Sequence, residues 1–182
     1  LAAERLLDRE RYVVLRGEGG EGKTTLGAEL ARWLVATRRF ERAAFATLET
    51  AGDARRLLHA LGDQLVAGFG AEAGGDDERA WLLVERELRS RRTILLLDNC
   101  ESVLPPPASG LVAGSGLFDS EVLAGILDLA GKLRDAGATL VFTSREPLPF
   151  PFDGNHRPIG RLARSEAIDL LVTGYLNTPT PT

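Results

Sequence analysis

The sequence lacks the features that mark several common protein classes. Cys100 is the only cysteine among the 182 residues, so no internal disulfide can form, which fits a reducing compartment. The longest apolar runs, such as residues 93–97 and 138–142, are far shorter than the roughly 20 residues that a membrane-spanning helix needs. We therefore expect a cytoplasmic protein without a membrane span.

Acidic residues outnumber basic ones, lysine is scarce and methionine is absent. The formal net charge of -4 at pH 7 argues against a basic surface that would bind nucleic acid directly. Lys23 and Lys132 are the only lysines, which argues against Lys23 being an incidental surface residue. Because methionine is absent, we expect the natural start to lie upstream, in a longer protein.

Short apolar runs alternate with helical periodicity along the chain. Strands are predicted at residues 12–15, 43–48, 93–97 and 138–143, and helices are predicted after Lys23, from Asp53, around Trp81, from Val122 and over 165–171. This alternation predicts a three-layer α/β/α sandwich around a mostly parallel sheet. The length suits one domain, which we place at residues 1–176, followed by a linker at 177–182.

Two finer expectations concern the packing of these elements. In the first helix the apolar residues Leu26, Leu30, Trp33 and Leu34 recur at helical spacing, which predicts the face that packs against the sheet. The glycine-rich and acidic stretch 68–77 and the proline- and glycine-rich stretch 104–116 are predicted to be loops.

A glycine-rich motif lies between the first strand and the first helix. Residues 17–24 read GEGGEGKT and fit the pattern G-x-x-x-x-G-K-[ST], in which backbone N–H groups curl around phosphates and the helix directs its positive end at them. Lys23 is expected to reach the β and γ phosphates, and Thr24 to offer its hydroxyl to magnesium. The predicted phosphate-binding residues are Gly17, Gly19, Gly20, Glu21, Gly22, Lys23, Thr24 and Thr25.

Some residues of this motif allow two interpretations. Thr25 either helps to hold the α phosphate or packs the first helical turn. The carboxylates of Glu18 and Glu21 would repel phosphates if they faced the nucleotide, so we expect them to point to solvent.

Acidic residues follow the buried strand at residues 93–97. Asp98 is the predicted metal ligand, together with Thr24, although it could instead cap the next helix. Asn99 stands where many ATPases have a second acid, and an amide cannot take a proton from the attacking water. Glu101 is the nearest candidate for a catalytic base, with a plain first-turn helix acid as the alternative.

Arg145 follows the next buried strand in the sequence. The carboxyl ends of neighbouring parallel strands are where ligands bind in open α/β sheets, so Arg145 is expected to face the γ phosphate. The alternative is an ordinary surface-turn arginine. The predicted catalytic residues are therefore Lys23, Asp98, Glu101 and Arg145.

Three blocks of the sequence, GEGGEGKTTL, ILLLDNCESVL and LVFTSREPL, resemble the STAND class of signal-transduction ATPases, the relatives of NB-ARC and NACHT proteins. The resemblance implies a P-loop NTPase switch that binds ADP or ATP with Mg²⁺ and hydrolyses ATP slowly. By that resemblance Lys23 and Thr24 belong to Walker A, Asp98 to Walker B, and Arg145 is the sensor arginine.

The same resemblance implies partners. These are adenine nucleotide, effector and repeat sensor domains outside this chain, and nucleotide-dependent self-association. Adenine is preferred over guanine because the sequence has no guanine-specifying Asn-Lys-x-Asp pattern. Two alternatives to the switch remain: a P-loop kinase that phosphorylates a small acceptor, and a nucleotide-binding scaffold that does not hydrolyse.

Overall fold

In the part of the chain that the structure describes, five parallel strands form one sheet. The computed structural model describes residues 10–105 and 120–160. The strands are β1 (Tyr12–Arg16), β2 (Arg42–Thr47), β3 (Thr93–Asp98), β4 (Thr139–Ser144) and β5 (His156–Pro158). They lie in the order β2-β3-β4-β1-β5, and each neighbouring pair is parallel. Parallel pairing requires crossover connections. Helices supply those among β1, β2, β3 and β4, whereas residues 145–155 lead from β4 to β5 without a helix.

Helices cover both faces of the sheet, as the predicted three-layer α/β/α sandwich requires. They are α1 (Lys23–Ala36), α2 (Leu48–Ala51), α3 (Ala54–Leu65), α4 (Phe69–Ala73), α5 (Asp77–Ser90) and α6 (Ser120–Asp135), with a 3-10 turn at Cys100–Val103. The smaller core cluster joins α1 to one sheet face, and the larger joins α3, α5 and α6 to the other. Within the described residues, every helix is too short or too polar to cross a bilayer.

Local sequence accounts for most of these elements. All residues of β3 are buried, as a continuous apolar run in a parallel sheet predicts. Helix α3 begins where the Asp53 side chain accepts a hydrogen bond from the backbone N–H of Arg56, and α5 begins where Asp76 accepts from Glu78 and Arg79. After α6 the chain turns at Gly137, whose φ of 118° favours glycine.

The predicted packing face of α1 is wrong in part. Leu34 is buried, but Leu26 and Trp33 are 45% and 43% exposed. The face that contacts the sheet instead consists of Lys23, Gly27, Ala31 and Leu34. A Cβ on Gly27 would lie 2.9 Å from Leu96 Cδ1, so small residues let the helix approach the sheet closely. Leu30 is partly buried and packs against the same core cluster, so two of the four predicted residues face the sheet and two do not.

The predicted loop at 68–77 also needs correction, because it contains the short helix α4. Phe69 is only 2% exposed, and its ring packs so closely on Gly62 that a Cβ there would lie 2.3 Å from Phe69 Cζ. Burial of this ring orders the segment despite its glycines. In the other predicted loop Leu104 is buried, while residues 106–116 lie outside the described residues. The predicted helix at 165–171 and the linker at 177–182 lie outside them as well.

Candidate functional site

The glycine-rich loop joins the end of β1 to the start of α1. Gly20 and Gly22 adopt the left-handed backbone conformation, with φ of 82° and 81°. Residues other than glycine rarely adopt this conformation. Gly22 is the N-cap of α1, and because glycine has no side chain, no side-chain oxygen caps the first turn of the helix. Backbone N–H groups in the first turn of α1, including those of Thr24 and Thr25, thus form a site that favours an anion. The Thr25 side chain is exposed.

Lys23 lies across this loop rather than in solvent. Its Nζ donates hydrogen bonds to the carbonyl oxygens of Gly17 at 2.8 Å and Glu18 at 2.9 Å. The residue is only 8% exposed, which is unusual for a lysine. The two carbonyls therefore hold the ammonium group over the loop, where it adds positive charge beside the open N–H groups.

Asp98 joins the loop to the carboxyl edge of the sheet. Its Oδ1 accepts a hydrogen bond of 2.7 Å from the Thr24 hydroxyl and a second from the Thr143 hydroxyl at the end of β4. The Thr143 oxygen in turn accepts from the backbone N–H of Asn99 at 3.0 Å. The Asp98 side chain thus bonds to the phosphate loop rather than capping the 3-10 turn that follows it.

This pair of oxygens fits a magnesium ion. A hydroxyl and a carboxylate within hydrogen-bond distance are hard oxygen ligands of the kind that Mg²⁺ takes beside phosphate oxygens and water. Within residues 10–105 and 120–160, no group of three or more His, Cys, Asp or Glu side chains could hold a metal. Magnesium bound by Thr24 and Asp98 would take its remaining ligands from phosphate oxygens and water.

Arg145 and Glu101 form an ion pair beside the loop. Arg145 Nε lies 3.0 Å from Glu101 Oε1. The guanidinium packs on the loop glycine Gly19, where a Cβ would lie 3.1 Å from Nη2. The backbone also ties this strand end to the loop, since Ser144 O accepts from Gly17 N at 3.2 Å. Arg145 and Glu101, two of the four predicted catalytic residues, therefore reach the site, but they bind each other.

The Glu21 side chain contradicts the expectation that it points to solvent. Its Oε2 accepts a hydrogen bond of 2.6 Å from the backbone N–H of Glu18, and the residue is half-buried. A Cβ on Gly17 would lie 2.5 Å from the same oxygen. The carboxylate therefore closes the loop from within. Glycine is needed at Gly17 because a Cβ there would also lie 2.7 Å from the backbone carbonyl oxygen of Ile159, which cannot move aside as a side chain can. Glu18, in contrast, is exposed as expected.

Sequence reasoning did not include Glu49 and Thr143 in the site. Glu49 follows β2, and its Oε2 accepts a hydrogen bond of 3.0 Å from Asn99 Nδ2. In the sheet Thr47 is the register partner of Asp98, which brings the start of α2 beside the end of β3. A polar residue at the end of a buried strand was the available signal for Thr143, whereas Glu49 required the strand order.

Cys100 lies in the middle of this polar edge but takes no part in its chemistry. It is 1% exposed, and its Sγ contacts the carbonyl oxygen of Leu97 at 3.5 Å. Burial, followed by the charges of Glu101 and Asp98, raises the pKa of the thiol far above its usual range. Burial and the raised pKa both disfavour the thiolate, which is the nucleophilic form of cysteine.

The arrangement of strand, loop, helix and acidic strand end agrees with a family comparison over most of the sequence. The family model described as AAA domain matches residues 6–144. The chain belongs to the AAA-domain family. This AAA domain is accordingly a P-loop nucleotide-binding domain of the α/β class. No curated protein matches the sequence.

Solved structures with a similar fold come from several kinds of protein. They include the Aeropyrum pernix ORC1 protein in complex with DNA (14% identity, TM-score 0.57), Drosophila ORC bound to DNA (17%, 0.58) and a STAND protein with a tetratricopeptide repeat sensor from Pyrococcus horikoshii (17%, 0.52). They cover 99%, 96% and 97% of this AAA domain, which spans only 48%, 46% and 25% of those chains. At these identities the likeness shows the fold alone.

Proposed function

We propose that this AAA domain is an adenine-nucleotide switch of the STAND type, with slow Mg²⁺-dependent hydrolysis of ATP. The observation that carries the proposal is the meeting of three groups at one edge of the sheet. Lys23 lies over the phosphate loop, Asp98 bonds to Thr24, and the Arg145 guanidinium packs on the loop. A nucleotide bound in the loop would contact the ends of β1, β3 and β4 together.

Each group has a distinct role in this proposal. The loop N–H groups and Lys23 bind the β phosphate in both ADP and ATP, whereas Arg145 contacts only the γ phosphate of ATP. Thr24 and Asp98 would hold the magnesium ion, which neutralises phosphate charge. A ligand shifts a conformational equilibrium only by its differential affinity for the two states. The γ phosphate supplies that difference through Arg145.

Slow hydrolysis follows from how the nearby acids are engaged. Glu101 is paired with Arg145, and Glu49 accepts a hydrogen bond from Asn99. Either bond would have to open before its carboxylate could take a proton from water. The same observation favours the second candidate function, a scaffold that binds nucleotide without hydrolysing it. Asn99 itself has no carboxylate to offer.

The proposed partners follow from the sequence resemblance rather than from the fold. We propose adenine nucleotide as the ligand and effector and sensor domains as the partners, with self-association controlled by the nucleotide. The structural relatives include DNA-bound ORC proteins as well as a STAND protein, so the expected absence of direct DNA contact remains a prediction from the net charge of -4. Fluorescence anisotropy with a labelled duplex at physiological salt would test it.

Amide hydrogen exchange would test the switch. Exchange is compared for the protein with Mg²⁺ and saturating ADP and with Mg²⁺ and a slowly hydrolysed ATP analogue. We expect stronger protection with the triphosphate at residues 98–103 and 143–146, because only a γ phosphate engages Arg145. Equal protection of these residues with the two nucleotides would contradict a switch, while protection of the loop with both would still support nucleotide binding.

Single-turnover kinetics would separate the switch from the scaffold. Excess protein is mixed with radiolabelled ATP and Mg²⁺, and labelled phosphate is measured over hours. Slow release that disappears in Lys23→Ala supports the switch, whereas bound but intact ATP supports the scaffold.

A further inference from the structure

We infer that Glu101 is a positioning residue that holds Arg145 over the phosphate loop and thereby sets the preference for a nucleoside triphosphate over a diphosphate. The inference rests on the proposed function, in which Arg145 contacts the γ phosphate. It assigns Glu101 a role other than that of the catalytic base expected from the sequence.

The two residues come from neighbouring strands. Glu101 lies in the 3-10 turn after β3, and Arg145 follows β4, which pairs with β3. The Glu101 side chain is only 19% exposed, whereas that of Arg145 is 57% exposed. The acid is thus fixed in the protein, and the arginine extends from it toward the surface of the loop.

The contact between them leaves the outer end of the guanidinium available. Glu101 Oε1 contacts Nε at 3.0 Å, while the buried Oε2 has no hydrogen-bond partner among the described residues. A two-point fork would have used both oxygens and a terminal nitrogen as well. The terminal Nη2 instead faces Gly19, 3.1 Å from the position of a Cβ on that residue.

The contact of Glu101 with Arg145 Nε lowers the entropic cost of binding a γ phosphate. A free arginine side chain loses much rotamer freedom when it is fixed on an anion. Because Glu101 already restricts the side chain, less of that freedom remains to be lost on binding. ADP has no γ phosphate and gains nothing from this contact. The position of the acceptor oxygen should therefore matter more than the charge of the carboxylate.

Two conservative variants separate position from charge. Glu101→Gln keeps an acceptor oxygen at the same distance but removes the charge, whereas Glu101→Asp keeps the charge but withdraws the acceptor by one methylene. Dissociation constants of ADP and of a slowly hydrolysed ATP analogue are measured with Mg²⁺ for the wild type, both variants and Arg145→Ala. The ADP constant also reports whether each variant is folded.

We expect Arg145→Ala to weaken triphosphate binding at least about tenfold, the scale of a hydrogen bond to a charged group. Glu101→Asp should weaken it about two- to tenfold, the scale of immobilising one side chain. ADP binding should be unchanged in both. Glu101→Gln should keep most of the preference. Single-turnover hydrolysis of bound ATP should also persist in Glu101→Gln. If Glu101 were the catalytic base, this variant would lose hydrolysis.

Other outcomes overturn the inference. A wild-type preference in Glu101→Asp, or its loss in Glu101→Gln, would do so while leaving the nucleotide switch intact. An unchanged preference in Arg145→Ala would show that Arg145 does not contact the γ phosphate. A wild-type chain that binds neither nucleotide would overturn the proposed function and this inference with it.

Discussion

The phosphate loop and the polar edge at the ends of β3 and β4 hold their charged groups in different ways. In the loop, Lys23 and Glu21 bond to backbone atoms only a few residues away. At the edge, Asp98 accepts from Thr24 and Thr143, which are 74 and 45 positions away in the sequence. Local sequence therefore shapes the loop, while the strand order assembles the edge.

This difference has consequences for mutations. Changes to loop side chains should alter nucleotide affinity with little effect on folding, because their partners are local and mostly near the surface. Changes at the edge should alter the magnesium response, hydrolysis or stability, because each side chain there joins two elements of the sheet.

Asp98→Asn should produce the largest effect at the edge. The substitution keeps an oxygen for the two hydroxyls but removes the charge that would attract magnesium. We expect the enhancement of ATP affinity by Mg²⁺ to fall about 10- to 100-fold, which is the scale of perturbed metal sites. Calorimetric titration with ATP in Mg²⁺ and in EDTA measures it. An enhancement equal to that of the surface control Asp128→Asn would contradict the role of Asp98.

Asn99→Asp should speed hydrolysis. The new carboxylate replaces the amide that donates to Glu49, so it both releases that acid and supplies another beside Asp98. General base catalysis typically speeds a reaction at least about 100-fold. Because this site is not optimised for the new carboxylate, we expect the hydrolysis rate to rise only about tenfold. Single-turnover rates of wild type, Asn99→Asp and Asn99→Ala give the comparison. No gain in Asn99→Asp over Asn99→Ala would show that a missing acid does not limit turnover.

Thr143→Val should destabilise the fold. Thr143 is 1% exposed, and its hydroxyl connects Asp98 to the backbone N–H of Asn99. Leaving those groups unpaired should lower the free energy of unfolding by about 1–3 kcal/mol. For a domain of this size each kcal/mol lowers the melting temperature by about 2–4 °C. Thr139→Val, at the other end of β4, is the matched control, and equal losses would contradict a specific role for Thr143.

Glu21→Gln should have the smallest effect. The amide oxygen can still accept from Glu18 N, so the loop stays closed while one negative charge near the phosphates is removed. We expect ADP to bind about two- to fivefold more tightly at low salt, with a smaller gain at high salt because salt screens charges near the surface. Glu21→Ala also removes the acceptor and should lose this gain. Equal affinities for both variants would argue against the loop-closing bond.

The features that could be predicted from the sequence are those that depend on local sequence rather than on strand order. The loop, its lysine and the buried β3 strand were recognisable because each depends on consecutive residues. The contacts of Glu49 and Thr143 were not, because they depend on β2 and β4 both lying beside β3. The engagement of Glu101 by Arg145 was missed for the same reason. The sheet face of α1 was misjudged because Gly27 and Ala31 pack it through smallness rather than apolar bulk.

Calorimetric titration of the protein with ADP in the presence of Mg²⁺ tests the central claim most directly. It is performed on the wild type, on Lys23→Ala and on Lys132→Ala, which removes the other lysine from an exposed pair with Asp128. We predict binding in the wild type and in Lys132→Ala, and affinity at least about tenfold lower in Lys23→Ala, because a charged hydrogen-bond donor to phosphate is lost. Absence of binding in the wild type, or equal binding in Lys23→Ala, would contradict the account.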